Sequence, residues 1–533
     1  MKHSVLLLLE QSIPLQQEGR AVAATLDTSV SPSEIRPDAP QETAGAPVPV
    51  EGRPSGTALS PRRWLGLSAV LAATLLNLLD STVVNVAAPA IRADLGGSYS
   101  ALQWMAAGYT LALAVALLTG GRLGDMFGRK PVLLVGAAGF VVTSVACAFA
   151  WSPESLIAAR VAQGLCAAVM IPQGFGLIRD LFGAKDIGKA FALFGPVIGL
   201  ATILGPVVAG LLVDADLFGT GWRAIFLINI PVGAYALVVG ARVLPAPARS
   251  QGQADRSGGL DVPGMLLGGL GMSMLVYPLV QGRELGWPVW SLALLAGSAP
   301  VLALFALHQL RRARRGRTPL VRLTVFASRS YSSGVLFVVV FFGLITGFSL
   351  AVGLFLQLGL GYTPLAASLA MSSWAIGAFA GSAFSGMTMN SLGRKILHLG
   401  LGMMLAGLAA LYAVFETAGT GLGGWHLVAP LLLFGAGMGM IFVPLFDIIV
   451  AGIADHEVGS GSAALESIQQ LGASLGIAIL GTVFFGAIGA PVAGHFDPSA
   501  ALDAAKRVAE LTLVLTAVAF LVAFLLPRRA RAH

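Results

Sequence analysis

The chain is 533 residues long, with 56% of its residues hydrophobic, only 11% charged, and a formal charge of +7. Soluble bodies carry about 25% charged residues, so this composition excludes a string of water-soluble domains. Its mean hydropathy of +0.82 excludes a disordered or fibrous chain. The basic balance does not indicate nucleic acid, because the arginines flank long apolar runs, as they do beside membrane-spanning helices.

Residues 1–62 are rich in Pro, Ala, Glu, Ser and Thr and read as a disordered cytoplasmic tail. The apolar run at 5–9 is too short for a signal-peptide core. Beyond the tail, each stretch of about 20 apolar residues suffices for one helical span. Spans are expected at 64–90, 103–121, 131–150, 155–178, 190–213, 223–244, 262–281, 289–310, 332–358, 364–389, 396–415, 426–451, 460–487 and 508–527, fourteen in all. The fold class is therefore an all-α polytopic membrane protein, since no stretch shows the alternating polarity of a membrane β-strand. Cys147 and Cys166 both fall inside spans, which indicates neither a disulfide framework nor a metal site.

Lys and Arg placement sets the orientation. With the N-terminus in the cytoplasm, 24 of these residues fall in inner segments. Only Arg92, Arg223, Arg283, Lys506 and Arg507 fall in outer ones. Both termini are thus expected on the cytoplasmic side of the cell membrane. The seven arginines between Arg311 and Arg329 fix topology and meet anionic lipid.

Two inner loops repeat one pattern. One runs from Gly121 through Asp125 to Gly128-Arg129-Lys130, and the other from Gly386 through Asn390 to Gly393-Arg394-Lys395, 265 residues later. That offset equals eight spans, so the chain divides into six, two and six. A first bundle occupies 63–245, a linker with two extra spans and a basic loop 246–330, a second bundle 331–528, and a short cytoplasmic tail 529–533. Parallel six-helix repeats are the internal symmetry of major facilitator transporters.

Further motifs narrow the resemblance. The first span ends Leu79-Asp80-Ser-Thr-Val-Val-Asn85-Val-Ala-Ala-Pro89, and the fourth holds Arg160-Val-Ala-Gln163-Gly164. The fifth reads Gly195-Pro196-Val-Ile-Gly199, then Gly205-Pro206 and Gly210, followed by Trp222-Arg223 and Asn229-Ile-Pro231-Val-Gly233. Over residues 64 to about 527 the sequence is similar to the fourteen-spanner drug:proton antiporters of the major facilitator superfamily. The resemblance implies a major facilitator fold, a signature loop at Gly121, Asp125, Gly128, Arg129 and Lys130, and an antiporter motif in the fifth span. It also implies proton-coupled efflux.

The residues argue in the same direction. Ionisable groups in hydrocarbon cost at least about 2.5–3.5 kcal/mol each on insertion scales, so they imply function by default. Only four lie clearly within spans, away from their ends: Asp80, Arg160, Asp447 and Glu466. At 1.5 Å per residue Asp80 and Arg160 both fall roughly 9–15 Å below the outer surface. They are expected to pair, with Gln163 on the same helix face as Arg160. Asp447 and Glu466 both fall in the inner half, where they are either a carboxylate pair sharing one proton or wetted groups at the cytoplasmic mouth. Gly195 and Gly199 offer a flat face for close helix approach, and Pro196 and Pro206 disrupt the ladder, which reads as a gate or as small-residue packing alone. Gly472, Gly476 and Gly481 suggest that this packing recurs. Gly121 is expected to admit a close helix, and Asp125 to pair with Arg129 or a helix end. Gly435-Ala-Gly437-Met-Gly439 lies inside a span and reads as packing rather than a nucleotide fingerprint.

No Walker A, His-Glu-x-x-His or Cys-x-x-Cys pattern occurs, so no cofactor, metal or enzymatic chemistry is expected. The expected function is export of a small hydrophobic or amphiphilic compound by a monomer, coupled to protons. Phe341, Phe342, Phe348, Phe355, Met438 and Met440 are candidates for an adaptable wall, most of them expected to face lipid. A metabolite transporter on the same fold and a non-transporting sensor or scaffold are the alternatives. Arg over Lys, with abundant Ala and Gly, suggests a GC-rich genome, and similarity to self-resistance exporters makes an antibiotic a reasonable cargo.

Overall fold

The computed structural model describes residues 61–245, 260–450, 458–489 and 496–526. The described residues form helices and turns, with no strand among them. The first bundle comprises α1 (Pro61–Leu95), α2 (Tyr99–Phe127), α3 (Arg129–Ala148), α4 (Pro153–Ala215), the short α5 (Ala224–Leu227) and α6 (Asn229–Val243). The linker holds α7 (Val262–Gln281) and α8 (Val289–Arg314). The second bundle comprises α9 (Arg329–Leu354), α10 (Pro364–Leu392), α11 (Lys395–Ala418), α12 (Gly424–Val450), α13 (Val458–Ile488) and α14 (Pro498–Ala523). The tail at 1–60 lies outside the described residues.

Twelve of these helices are long and apolar enough to cross a membrane, among the described residues. The two remaining expected spans fall in α4 and α14. A straight helix of the 63 residues of α4 would reach about 95 Å, yet both of its ends meet the same stretch of α1. Arg160 pairs with Asp80, and a methyl on Gly205 would stand 2.7 Å from Thr82 Oγ1. The run therefore folds back on itself; its first part, Pro153–Phe182, is one of the twelve candidate spans, and Leu204–Ala215 is a shorter apolar helix. α14 begins about ten residues earlier than the apolar run suggested. Asp497 caps it by accepting from Ser499 N–H at 3.0 Å, with Pro498 in its first turn. Lys506, expected in a loop, is thus helical and reaches Glu416 at 2.8 Å.

Within the first bundle α4 packs on α1, α2 and α3; in the second α12 packs on α10 and α11, and α13 on α9. The bundles meet along α2–α13 and α4–α10. Along α2–α13 the Ser467 hydroxyl donates to Ala114 O at 2.5 Å and that of Ser474 to Ala107 O at 3.2 Å. Both pairs are seven residues apart on their helices, so one face of each helix repeats. α7 and α8 flank this assembly, with only 22% and 11% of their spanning windows buried.

The repeated Gly-Arg-Lys loops have a common geometry. Gly128 (φ 91°) and Gly393 (φ 49°) occupy positive-φ turns between α2 and α3 and between α10 and α11, which a side chain would strain. Lys130 donates to Ala241 O at 2.8 Å and Leu244 O at 2.7 Å, closing the end of α6. Arg394 donates to Phe524 O at 2.7 Å and Leu526 O at 2.6 Å, closing the end of α14. Each bundle thus has a loop cation on the exposed carbonyls of its last helix, where positive charge is favoured. Different residues of the motif do this in the two halves.

Candidate functional site

Asp80 is fully buried on α1; α4 and α6 supply donors to its carboxylate, and α2 and α3 hold those donors. From α4, Arg160 forms an ion pair with Oδ2, and Gln163 Nε2 donates to Oδ1 at 2.9 Å. From α6, Asn229 Nδ2 donates to Oδ1 at 3.1 Å. Ser144 on α3 accepts from Gln163 at 2.8 Å and from Asn229 at 3.2 Å. α2 supplies Met105 O, which accepts from Arg160 Nε at 3.1 Å, and the Tyr109 ring, whose centroid lies 4.2 Å from the guanidinium carbon. Arg160 also donates to Gln163 Oε1 at 2.7 Å. A buried ion pair is tolerated only when its remaining polar atoms are satisfied, and here they are.

The sequence placed Asp80, Arg160 and Gln163 together, as the structure does. It did not identify Ser144, Asn229 or Tyr109 as their partners. Asn229 is a polar residue inside an apolar run, which is a readable signal. Ser144 gives no such signal, because serines are common in spans and only interhelical geometry selects one.

On the adjacent face of α1, Asn77, Ser81 and Asn85 recur every fourth residue and line a cavity of about 300 Å³. Its walls come from α1, α2, α4, α9, α10, α12 and α13. Tyr109 joins the two sites: it lines the cavity, donates to Asn77 Oδ1 at 2.5 Å, and covers Arg160. Asn85 Oδ1 is buried and has no hydrogen-bond partner among the described residues. Phe342 and Met438 line the cavity, but Phe341, Phe348, Phe355 and Met440 are no more than 3% exposed. These four fill the bundle interior rather than facing lipid, because facing helices cover the stripe they form.

Other expected site residues fall into place differently. Glu466 is half-buried on α13 and makes no hydrogen bond or ion pair among the described residues, while Asp447 and Asn390 have side chains outside them. The expected Asp447–Glu466 pair therefore also lies outside the described residues. The surroundings of Gly195, Pro196 and Gly199 lie outside as well. Pro206 lines the cavity, and a methyl on Gly210 would stand 2.6 Å from Leu365 Cα of α10. Beside it, Leu365 N–H donates to Asp214 at 3.3 Å.

In the signature loop Gly121 has room for a methyl, 3.8 Å from Pro172 Cβ. The close approach to α4 falls instead on Gly120, against Ala168 O, and on Gly124, against Gln173. Arg129 pairs with Asp180 at 3.7 Å. Beneath the basic loop, Asp261 is 2% exposed and receives Gln309 Nε2 at 2.8 Å, with His308 Nε2 at 2.7 Å. Burial pushes the Asp261 carboxyl up, but hydrogen bonds from His308, Gln309 and Gly264 N–H, with the Arg312 charge, hold it below its ordinary value.

The described residues hold no cluster of His, Cys, Asp or Glu suited to a metal. The site is a buried charge pair beside a neutral cavity at a bundle interface, where secondary transporters place cargo and coupling groups.

Comparison with known proteins agrees with this geometry. The family model described as Major Facilitator Superfamily matches residues 70–477. The probable actinorhodin transporter of Streptomyces coelicolor is 46% identical over 88% of this chain and 82% of its own length. The tetracenomycin C resistance and export protein of Streptomyces glaucescens is 35% identical over 82% of this chain and 80% of its own. The puromycin resistance protein of Streptomyces alboniger is 36% identical over 83% and 86%. Among solved structures, a bacterial homologue of the lysosomal transporter Spinster superposes with a TM-score of 0.60 at 17% identity, covering 88% of this chain and 97% of that one. With a matching fold, internal repeat and family model, the chain belongs to the Major Facilitator Superfamily and is a multi-pass membrane protein.

Proposed function

We propose that the protein exports a small hydrophobic or amphiphilic drug or antibiotic across the cytoplasmic membrane in exchange for protons. Cargo occupies the cavity between the bundles, and rocking of the bundles exposes it to either side in turn. The chain crosses the membrane fourteen times with both termini in the cytoplasm and works as a monomer. The observation that carries this reading is the Asp80–Arg160 pair, buried one Tyr109 ring away from the cavity. Protonation of Asp80 would release Arg160 and alter the Tyr109–Asn77 contact at the cavity wall, so proton and cargo bias one equilibrium. Glu466 and Asp447 are further candidates for the proton path. The signature loops and the Gly205–Gly210 face of α4 would guide the rocking motion. The similarity to a probable actinorhodin transporter and to a tetracenomycin C resistance and export protein favours export of an antibiotic.

In inverted liposomes, an acidic lumen is expected to drive uptake of tetracenomycin C, and a protonophore to abolish it. Uptake that ignores the pH gradient would contradict the exchange.

A further inference from the structure

We infer that the cavity takes its cargo uncharged, as a flat aromatic compound bearing carbonyl and hydroxyl oxygens, so that each exchange for a proton moves net charge. The inference rests on the export reading above and adds the charge and chemistry of the cargo. Among the described residues lining the cavity, none is Asp, Glu, Lys, Arg or His. The polar lining consists of amides and hydroxyls, including Asn85, Gln357, Gln469 and Gln470, groups that serve neutral oxygens as donor or acceptor.

Four aromatic rings, those of Tyr109, Phe342, Trp374 and Phe442, stand among the aliphatic side chains of the lining. Phe342 and Phe442 meet edge to face at 5.2 Å, and Trp374 stands on the same wall with its Nε1–H donating to Met438 Sδ at 3.4 Å. Such rings favour a flat partner. At about 300 Å³ the space is at the small end of ligand cavities.

A charged cargo would need a counter-charge here, and among the described residues none lines the cavity. Asp80 already receives Arg160, Gln163 and Asn229. Arg160 is 1% exposed, behind Tyr109. Glu466 lies one helical turn along α13 from Gln469 and Gln470 and is not among the lining residues. Ammonium or sulfonate groups would lose their hydration with nothing in return. Exchange of a neutral molecule for one proton carries one positive charge inward, so membrane potential drives export as well as the pH gradient. For one proton, 100 mV multiplies the accumulation limit by about fiftyfold.

The full chain in inverted liposomes tests this with the neutral dihydroxyanthraquinone quinizarin, its sulfonate and its trimethylammonium derivative. A lumen-positive potassium–valinomycin potential at equal pH is expected to drive quinizarin uptake, with both charged probes slower by about tenfold or more. Gln357→Glu, which adds one carboxylate to the lining, is expected to admit the trimethylammonium probe. Absence of quinizarin uptake, equal uptake of either charged probe by the unaltered protein, or indifference to the potential would overturn the inference. Tetracenomycin C in the same vesicles separates the two readings. If its uptake ignores the pH gradient, proton-driven export fails; if it follows the gradient while a charged probe matches quinizarin, only the charge inference fails.

Discussion

Arg160→Leu is expected to remove most folded, active protein. Arg160 serves Asp80, Gln163 and Met105 O at once, while its face lies against Tyr109. Without it the fully buried Asp80 keeps two amide donors but no counter-charge, and breaking such a pair costs about 3–5 kcal/mol. Arg160→Lys retains the charge yet cannot reach three partners as one planar fork, so an intermediate loss is expected. The double variant Asp80→Asn with Arg160→Gln removes both charges and should recover much of the folded protein, but no proton-driven transport. Monodisperse yield in detergent, thermal unfolding and vesicle uptake distinguish these outcomes. Equal stability of Arg160→Leu and the unaltered protein would show that the pair contributes nothing to the fold.

The second large effect is expected at Gly476. On α13 it faces Gly343 of α9, and an added methyl would collide with the Gly343 backbone. Gly347 in turn presses on Gly476 O, so neither helix has a flexible side chain to move aside. Gly476→Val should therefore cost about 3 kcal/mol or more, at the upper end of overpacking effects. Gly402→Val on α11, where nothing lies within 4 Å, is the matched control and should be near neutral. Comparable melting of the two variants would rule out close backbone contact between α9 and α13.

Much of this architecture was legible in the residues. The expected span at 262–281 coincides with α7, because Asp261 and Pro263 form a capped start. The start of α14 was misplaced because its first turns are polar and a hydropathy reading begins only where apolar residues do. The Asp80–Arg160 pairing followed from two unaffordable charges at matched depth. Asn229 and Ser144 could not be deduced as partners, since their position depends on how α3 and α6 rotate about their axes. The glycines show the same limit. Gly435, Gly437 and Gly439 read correctly as packing, against Trp374 O, Gly400 O and Ala378 O. The close approach near Gly121, however, falls to Gly120 and Gly124, which face Ala168 and Gln173 of α4, a choice of helix face that the local motif does not encode.

The central claim is that Asp80 couples proton movement to export. Asp80→Asn keeps one acceptor oxygen for Gln163 and Asn229, sets an amide in place of the carboxylate oxygen that meets Arg160, and removes the ability to gain or lose a proton. The decisive measurement compares counterflow and proton-driven uptake by this variant in the same proteoliposomes. The account predicts that cargo exchange at equal pH persists while uphill transport driven by an acidic lumen is lost. Full proton-driven transport with unchanged cargo binding would contradict it.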